Sequence, residues 1–169
     1  MARVYRSFLH LLGLLALALI APGCAAPQAF DPVVTENWNT HTGQLMYRAK
    51  GGRSIIGEFV VRESSGQGFV LHFSSGPGIP LMKLQKSPSS ITAEGVLARG
   101  KWRGGPESVP RHLRGWVALE ELFGHLPTRS TRLSGNGWTA QVSHQAERGT
   151  NVDVTMLASG ERFVFHFGR

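Results

Sequence analysis

Residues 162–167 read Arg-Phe-Val-Phe-His-Phe, and large apolar side chains alternate there with other residues. Successive side chains of a β-strand point to opposite faces of a sheet, so Phe163, Phe165 and Phe167 would share one face. Residues 69–73, Phe-Val-Leu-His-Phe, repeat the alternation. This two-residue period predicts strands with one apolar face, as in an antiparallel sheet.

The same period recurs through most of the chain. Segments 55–62, 96–103, 138–143 and 152–156 alternate in this way, and Gly, Ser, Asn and Pro separate them. Those residues favour turns. We predict roughly nine strands between about residues 43 and 168. Short strands in a meander predict a mainly β fold, a curved antiparallel sheet that forms an incomplete (half) β-barrel.

One segment departs from the strand period. Between residues 110 and 126, apolar side chains recur at spacings of three and four residues, which is typical of a helix. Pro110 favours a helix start and Gly124 a helix end, and Gly115 is predicted to divide the segment into two short helices. We expect this apolar insert to lie as a lid on the apolar concave face of the sheet.

The first residues resemble an export signal followed by a lipidation site. Arg3 and Arg6 precede an apolar run at residues 8–20, and the chain's only cysteine, Cys24, follows Ala-Pro-Gly at 21–23. This arrangement resembles the lipobox of bacterial lipoproteins, in which the cysteine is acylated and becomes the first residue. A transmembrane helix is less favoured because a span needs about 20 apolar residues. Soluble secretion is the second alternative.

Three regions are therefore expected: a lipoprotein signal peptide at 1–23, the lipidated Cys24 with a tether at 24–34, and one domain at 35–169. Removing the signal leaves 146 of the 169 residues and lowers the formal net charge from +7 to +5. A domain of this size can bury its own core. The mild basic excess suits anionic head groups or an acidic protein, and we expect a monomer without a nucleic-acid partner.

The sequence offers little equipment for catalysis. It contains neither a His-Glu-x-x-His metal motif nor a Gly-x-Ser-x-Gly nucleophile elbow. His72, His144 and His166 lie in predicted strands and could meet across a sheet, but separate strand positions are the preferred interpretation. We expect no catalytic residue, metal or cofactor. A lipid-acting enzyme that uses His72 or His144 is a weaker alternative.

The large apolar side chains form the candidate site. They either fill a core or line a cavity for an acyl chain, and the sequence does not distinguish the two. Each methylene moved from water into such a cavity stabilises the bound state by about 0.8 kcal/mol. The expected lining residues are Phe59, Phe69, Leu71, Phe73, Trp116, Phe123, Trp138, Phe163 and Phe165.

Five stretches resemble the LolA/LolB lipoprotein-carrier superfamily, in particular its LolB-like outer-membrane lipoprotein receptors. They are 43–49 (Gly-Gln-Leu-Met-Tyr-Arg-Ala), 56–62, 69–84, 137–142 and 162–167. The resemblance implies an incomplete barrel with a helical lid over a hydrophobic cavity. That cavity would take the acyl chains of a lipoprotein from a periplasmic carrier, without covalent chemistry.

The resemblance also implies a membrane-contacting loop. The family's loop usually reads like Asn-Pro-Leu-Gly, whereas residues 75–78 here read Ser-Gly-Pro-Gly, with Pro77 in place of the exposed leucine. Pro77 and Ile79 are the expected contacts. The expected function is therefore an outer-membrane-anchored lipoprotein, facing the periplasm, that binds acyl chains or lipoprotein cargo and assists its localisation. The alternative is an interaction lipoprotein of the same fold, with a filled core and a protein partner.

Overall fold

The computed structural model describes residues 38–64, 67–76, 78–145 and 149–168. Within these ranges the protein is a single ten-stranded antiparallel sheet, not closed into a barrel, with one short α-helix. The predicted fold class, a curved open sheet with a helix, is confirmed. The expected signal peptide, Cys24, the tether and Pro77 lie outside the described residues.

Ten strands form where nine were predicted, and the first begins at Asn39, a few residues earlier than expected. A 3-10 turn at Arg111–Leu113 leads into the helix α1 (Arg114–Phe123), which is shorter than the predicted segment 110–126. The predicted division at Gly115 was wrong, because Gly115 lies inside the continuous helix. The strands are β1 (Asn39–Arg48), β2 (Ser54–Ser64), β3 (Gly68–Ser75), β4 (Ile79–Lys86), β5 (Ile91–Gly95), β6 (Gly100–Gly104), β7 (Thr131–Gly135), β8 (Trp138–Gln145), β9 (Gly149–Met156) and β10 (Arg162–Phe167).

The strand order shows two meanders joined in the middle. The sheet reads β6-β5-β4-β3-β2-β1-β10-β9-β8-β7, so the first and last described strands pair next to its centre. Leu45 of β1 faces Phe165 of β10 in that pairing. Strands β6 and β7 are the free edges, and α1 lies between them in the sequence.

Antiparallel pairing places alternate turns at the same end of the strands. We call one end the upper edge; it holds the turns at 49–53, 96–99, 136–137 and 157–161, together with the end of β3 and the start of β4. The opposite end is the lower edge, where β1 begins and β2, β4 and β10 end. The two edges differ in the side chains that they carry.

The predicted strand at 96–103 was wrong in its first half. Residues 96–99 form a turn at the upper edge, and β6 begins only at Gly100. The chain must reverse there because β6 pairs antiparallel with β5, with Glu94 facing Lys101. Arg99 takes a left-handed φ of 60° in this turn. The two-residue alternation does not reveal such a reversal, because a tight turn occupies only a few residues.

Candidate functional site

The nine residues predicted to line a cavity form one buried cluster in the structure. Trp116 and Phe123 come from α1, and the other seven come from the face of the sheet that the helix covers, here called the inner face. None of the nine is more than 3% exposed. The period-two and helical patterns therefore located this cluster correctly. Its ligand-binding role stays a prediction.

The upper half of the helix packs through Trp116. The ring centroid of Trp116 lies 4.9 Å from that of Tyr47 and 4.9 Å from that of Phe163, edge-to-face against the latter. Phe73 lies at 6.0 Å. Offset and edge-to-face pairs of this kind add favourable energy beyond the area that they bury.

The lower half of the helix packs through Phe123. Its ring lies 5.1 Å from Phe165, edge-to-face, and 6.1 Å from Phe69. The imidazole of His41 lies at 5.3 Å from the same ring. An aromatic cluster at this end of α1 thus includes a titratable group.

The helix fills the space against the inner face. Leu45, Val61, Phe163 and Trp116 have no accessible surface. A side chain that bordered a void larger than a water molecule would retain some accessible surface, so no such void lies against these four. An acyl chain could therefore reach them only if α1 moved away from the sheet.

Gly115 allows α1 to approach a buried carboxylate at the upper edge. A Cβ placed at position 115 would lie 2.6 Å from Oε2 of Glu161 and 3.3 Å from Cγ of Met156. Any other residue there would force a shift. The close approach puts the carboxylate beside the first turn of the helix, where the helix dipole favours negative charge.

The carboxylate of Glu161 also receives hydrogen bonds from two hydroxyl groups. Tyr47 donates from its phenol to Oε1 at 2.9 Å, and Ser159 donates to Oε2 at 2.7 Å. Burial, helped by the neighbouring charge of Glu161, raises the pKa of Tyr47 above its usual value. The phenol therefore stays a donor under ordinary conditions, and both oxygens of the buried carboxylate have partners.

The lower edge contains a polar group without a partner. Nε2 of His41 is buried and makes no hydrogen bond. Nearby Glu63, itself buried, accepts a hydrogen bond from Nδ2 of Asn39 at 2.7 Å. Burial lowers the pKa of His41, and the charge of Glu63 opposes this only in part. Sequence patterns did not single out His41, although the two-residue period places it on the same face as Leu45 and Tyr47.

Two polar contacts tie the C-terminal half of α1 to the sheet. Glu120 pairs with Lys86 of β4, and Glu121 accepts a hydrogen bond from Nε1 of Trp138 at 3.0 Å. The Lys86–Glu120 pair is partly exposed, so its contribution to stability is small. Apolar contacts therefore supply most of the attachment of the helix to the sheet.

The three histidines considered for a metal site do not come together. His72 and His166 lie on β3 and β10, which two strands separate, and His144 lies near the end of β8. His144 contacts Oγ1 of Thr150 at 2.7 Å, and His166 contacts Oδ1 of Asn151 at 2.8 Å. Within the described residues, no group of three or more His, Cys, Asp or Glu side chains is arranged to hold a metal.

Ile79, the predicted membrane contact, is the first residue of β4 and is 56% exposed at the upper edge. In the part of the chain that the structure describes, no helix has the length and apolar character needed to cross a membrane. No protein-family model and no curated protein matches the sequence. The resemblance to LolB-like receptors therefore stays a prediction.

Proposed function

We propose that this protein is an outer-membrane-anchored lipoprotein that binds acyl chains between its sheet and its helix. In this proposal it assists the localisation of lipoproteins or lipids and performs no covalent chemistry. The proposal rests on the way in which the inner face is shielded from solvent. One ten-residue helix, held mainly by apolar contacts, covers the aromatic face of an open ten-stranded sheet.

The energetic exchange is close to balanced, which suits reversible binding. Exposing the four large buried side chains of α1 would cost about 6–12 kcal/mol, at about 1.5–3 kcal/mol for each. A saturated chain of about sixteen carbons would contribute about 12 kcal/mol on burial. An acyl chain could thus replace the helix on the inner face without a large net change, and release could follow from modest competition.

His41 offers a contact for the polar end of such a ligand. Its Nε2 can donate or accept according to the tautomer, and it lies between Phe123 and Phe167 at the lower edge. An unpartnered buried nitrogen costs free energy that a ligand's amide or ester group would recover. The ligand would then lie with its polar end at the lower edge and its acyl chain along the rings.

The second candidate is an interaction lipoprotein with a permanently filled core. The absence of accessible surface on the four residues above favours it. In this case α1 is a fixed part of the domain, and a protein partner would bind outside the inner face.

Native mass spectrometry of the chain from Ala25 onward, with and without a long-chain fatty acid, tests the first candidate. A carbodiimide cross-link can hold the helix on the sheet, because this reagent directly joins amine and carboxylate groups that are in contact, such as Lys86 and Glu120. We expect a stoichiometric added mass that the cross-link abolishes. Glu120→Gln, treated identically, should still bind; Lys101 and Glu94 can cross-link in both proteins and control for the reagent.

Two results would contradict the proposal. A bare mass from folded protein at all fatty-acid concentrations would favour the filled core. Binding that survives the Lys86–Glu120 cross-link would show that α1 is not a lid.

A further inference from the structure

The upper edge carries exposed apolar side chains on separate hairpins. Val96 and Leu157 lie in two different turns and are 71% and 63% exposed. Ile56, near the start of β2, and Ile79 are also exposed close to this edge. Single exposed apolar residues are common, but four that protrude at one end of a sheet call for a contact at that end.

Exposed cations surround these apolar side chains. Arg48 directly precedes the turn at 49–53, Lys50 and Arg53 lie within it, and Arg99 lies in the same turn as Val96. Lys101 pairs with the exposed Glu94 at 3.3 Å, but none of the other four takes part in an ion pair among the described residues. The carboxylate of Glu161 at this edge is buried and hydrogen-bonded, and that of Glu121 accepts hydrogen bonds from Asn136 and Trp138 at the separate β7–β8 hairpin. The β1–β2 and β5–β6 hairpins of the upper edge therefore present positive charge to their surroundings.

Arg99 has a backbone conformation that is unfavourable for a non-glycine residue. Its φ of 60° is left-handed, and among the described residues no other non-glycine side chain has a positive φ. Glycine would adopt this conformation at no steric cost, and Gly100 follows directly. The tip of the β5–β6 hairpin thus carries a charged side chain at the expense of local stability. Strained positions of this kind cluster at functional sites.

The aliphatic part of Lys50 lies against Gly160, so the β1–β2 and β9–β10 hairpins meet beside Leu157. Arg99 is close enough to Tyr47 for its charge to lower the pKa of that phenol slightly against the dominant effect of burial. Cations from two hairpins therefore lie near the same part of the upper edge. Interspersed cations and protruding apolar tips are the features by which proteins bind anionic bilayer surfaces.

We propose that the upper edge docks onto an anionic lipid bilayer, with Val96 and Leu157 among the head groups and Lys50, Arg53 and Arg99 on the phosphates. This inference goes beyond acyl-chain binding, because it concerns the orientation of the domain on the membrane. The expected anchor permits it. Fifteen residues from Cys24 to Asn39 reach up to roughly 50 Å, whereas the ten residues of β1 rise only about 34 Å.

The test places a fluorescent label at one edge or the other of the full-length chain in vesicles. Val96→Cys and Leu157→Cys report on the upper edge, and Arg129→Cys, exposed in the segment between α1 and β7, reports on the lower edge. Mass spectrometry first establishes whether Cys24 is acylated; where it is free, Cys24→Ser is added. The vesicles contain brominated lipids, which quench a label that reaches the bilayer, with either neutral or one-third anionic head groups.

We expect quenching at positions 96 and 157 with anionic vesicles, little at 129, and a decrease at high salt. Arg99→Gly should weaken docking about five-fold, the equivalent of about 1 kcal/mol for one cation near the surface. The same change should leave the melting temperature equal or higher, because glycine suits the left-handed turn. Arg129→Gln removes one charge from the lower edge and should leave docking unchanged.

Equal quenching at positions 96, 157 and 129, or none at 96 and 157, would overturn the proposal. Docking that is indifferent to head-group charge would also overturn it. Acyl-chain binding is measured separately by the added mass of the fatty acid, so either proposal can fail while the other stands.

Discussion

The two ends of helix α1 make different contacts with the sheet. At the upper end, Gly115 lets the helix approach Glu161, and that carboxylate has hydroxyl donors on both oxygens. At the lower end, Phe123 packs against rings that include His41, whose Nε2 has no partner. The buried carboxylate at the upper end thus has hydrogen-bond partners, whereas the buried nitrogen at the lower end has none.

This difference indicates where a ligand would gain most. Burying a polar group without a hydrogen bond is unfavourable, so a ligand that supplies one at His41 recovers free energy that the protein alone does not. At the upper end, displacing the helix would instead disturb contacts that are already satisfied. The following predictions test this contrast, from the largest expected effect to the smallest.

Trp116→Ala should lower the free energy of unfolding by about 3–5 kcal/mol, because it leaves a cavity under a rigid, fully buried site. Phe123→Ala should cost less, about 3 kcal/mol, because its neighbours His41 and Phe167 are only half-buried and can move into the space. Urea denaturation measures both, with Ile56→Ala on the exposed face as a near-neutral control. Equal losses of unfolding free energy in the two variants would show that the two ends of α1 are packed equally rigidly. If α1 is a lid, Phe123→Ala should also reduce fatty-acid binding by more than its effect on stability explains.

Gly115→Ala should destabilise the protein by about 1–3 kcal/mol, since its Cβ would clash with Glu161 and Met156. This loss would exceed the gain of up to about 1 kcal/mol that alanine brings to a helix interior. Gly105→Ala is the matched control, because nothing lies within 4 Å of its Cβ and its φ of −80° suits alanine. Thermal unfolding of both variants would decide the point, and a stable Gly115→Ala protein would show that the upper contact is not tight.

Tyr47→Phe should cost about 1–3 kcal/mol, because it removes a donor from a buried carboxylate. His41→Leu should change stability at pH 7 by only about 0.5 kcal/mol in either direction, since the nitrogen that it removes already lacks a partner. The two variants can be compared by urea denaturation. A large loss in His41→Leu would mean that the imidazole contributes an interaction in the free protein.

Acidification should destabilise the folded protein through His41, by less than the substitutions above. Burial lowers the pKa of His41 in the folded protein below the unfolded value of about 6.5, so the unfolded chain binds the proton first. Stability should therefore fall as the pH drops below about 6.5, until the folded protein is protonated as well. The melting temperature of His41→Leu should fall less between pH 7.5 and pH 5 than that of the unsubstituted protein. Identical decreases would contradict the role of burial at this position.

The candidate site shows how far sequence patterns reach. Period-two alternation and helical spacing located all nine ring and leucine positions in one cluster, because both patterns depend only on local backbone geometry. They did not reveal the Tyr47–Glu161 hydrogen bond, whose partners lie 114 residues apart. Nor did they distinguish a filled inner face from a hollow one, because that depends on how closely α1 approaches.

The sequence by itself determined most of the strands, which of their faces are apolar, and that a helical segment interrupts the sheet. Side-chain order along a strand or helix is enough for these features. The tertiary structure alone decided the pairing of β1 with β10, the turn at 96–99, the closeness of Gly115 to Glu161 and the unpartnered nitrogen of His41. Each of these arises where distant segments meet, and contacts between distant segments are set by packing and not by local periodicity.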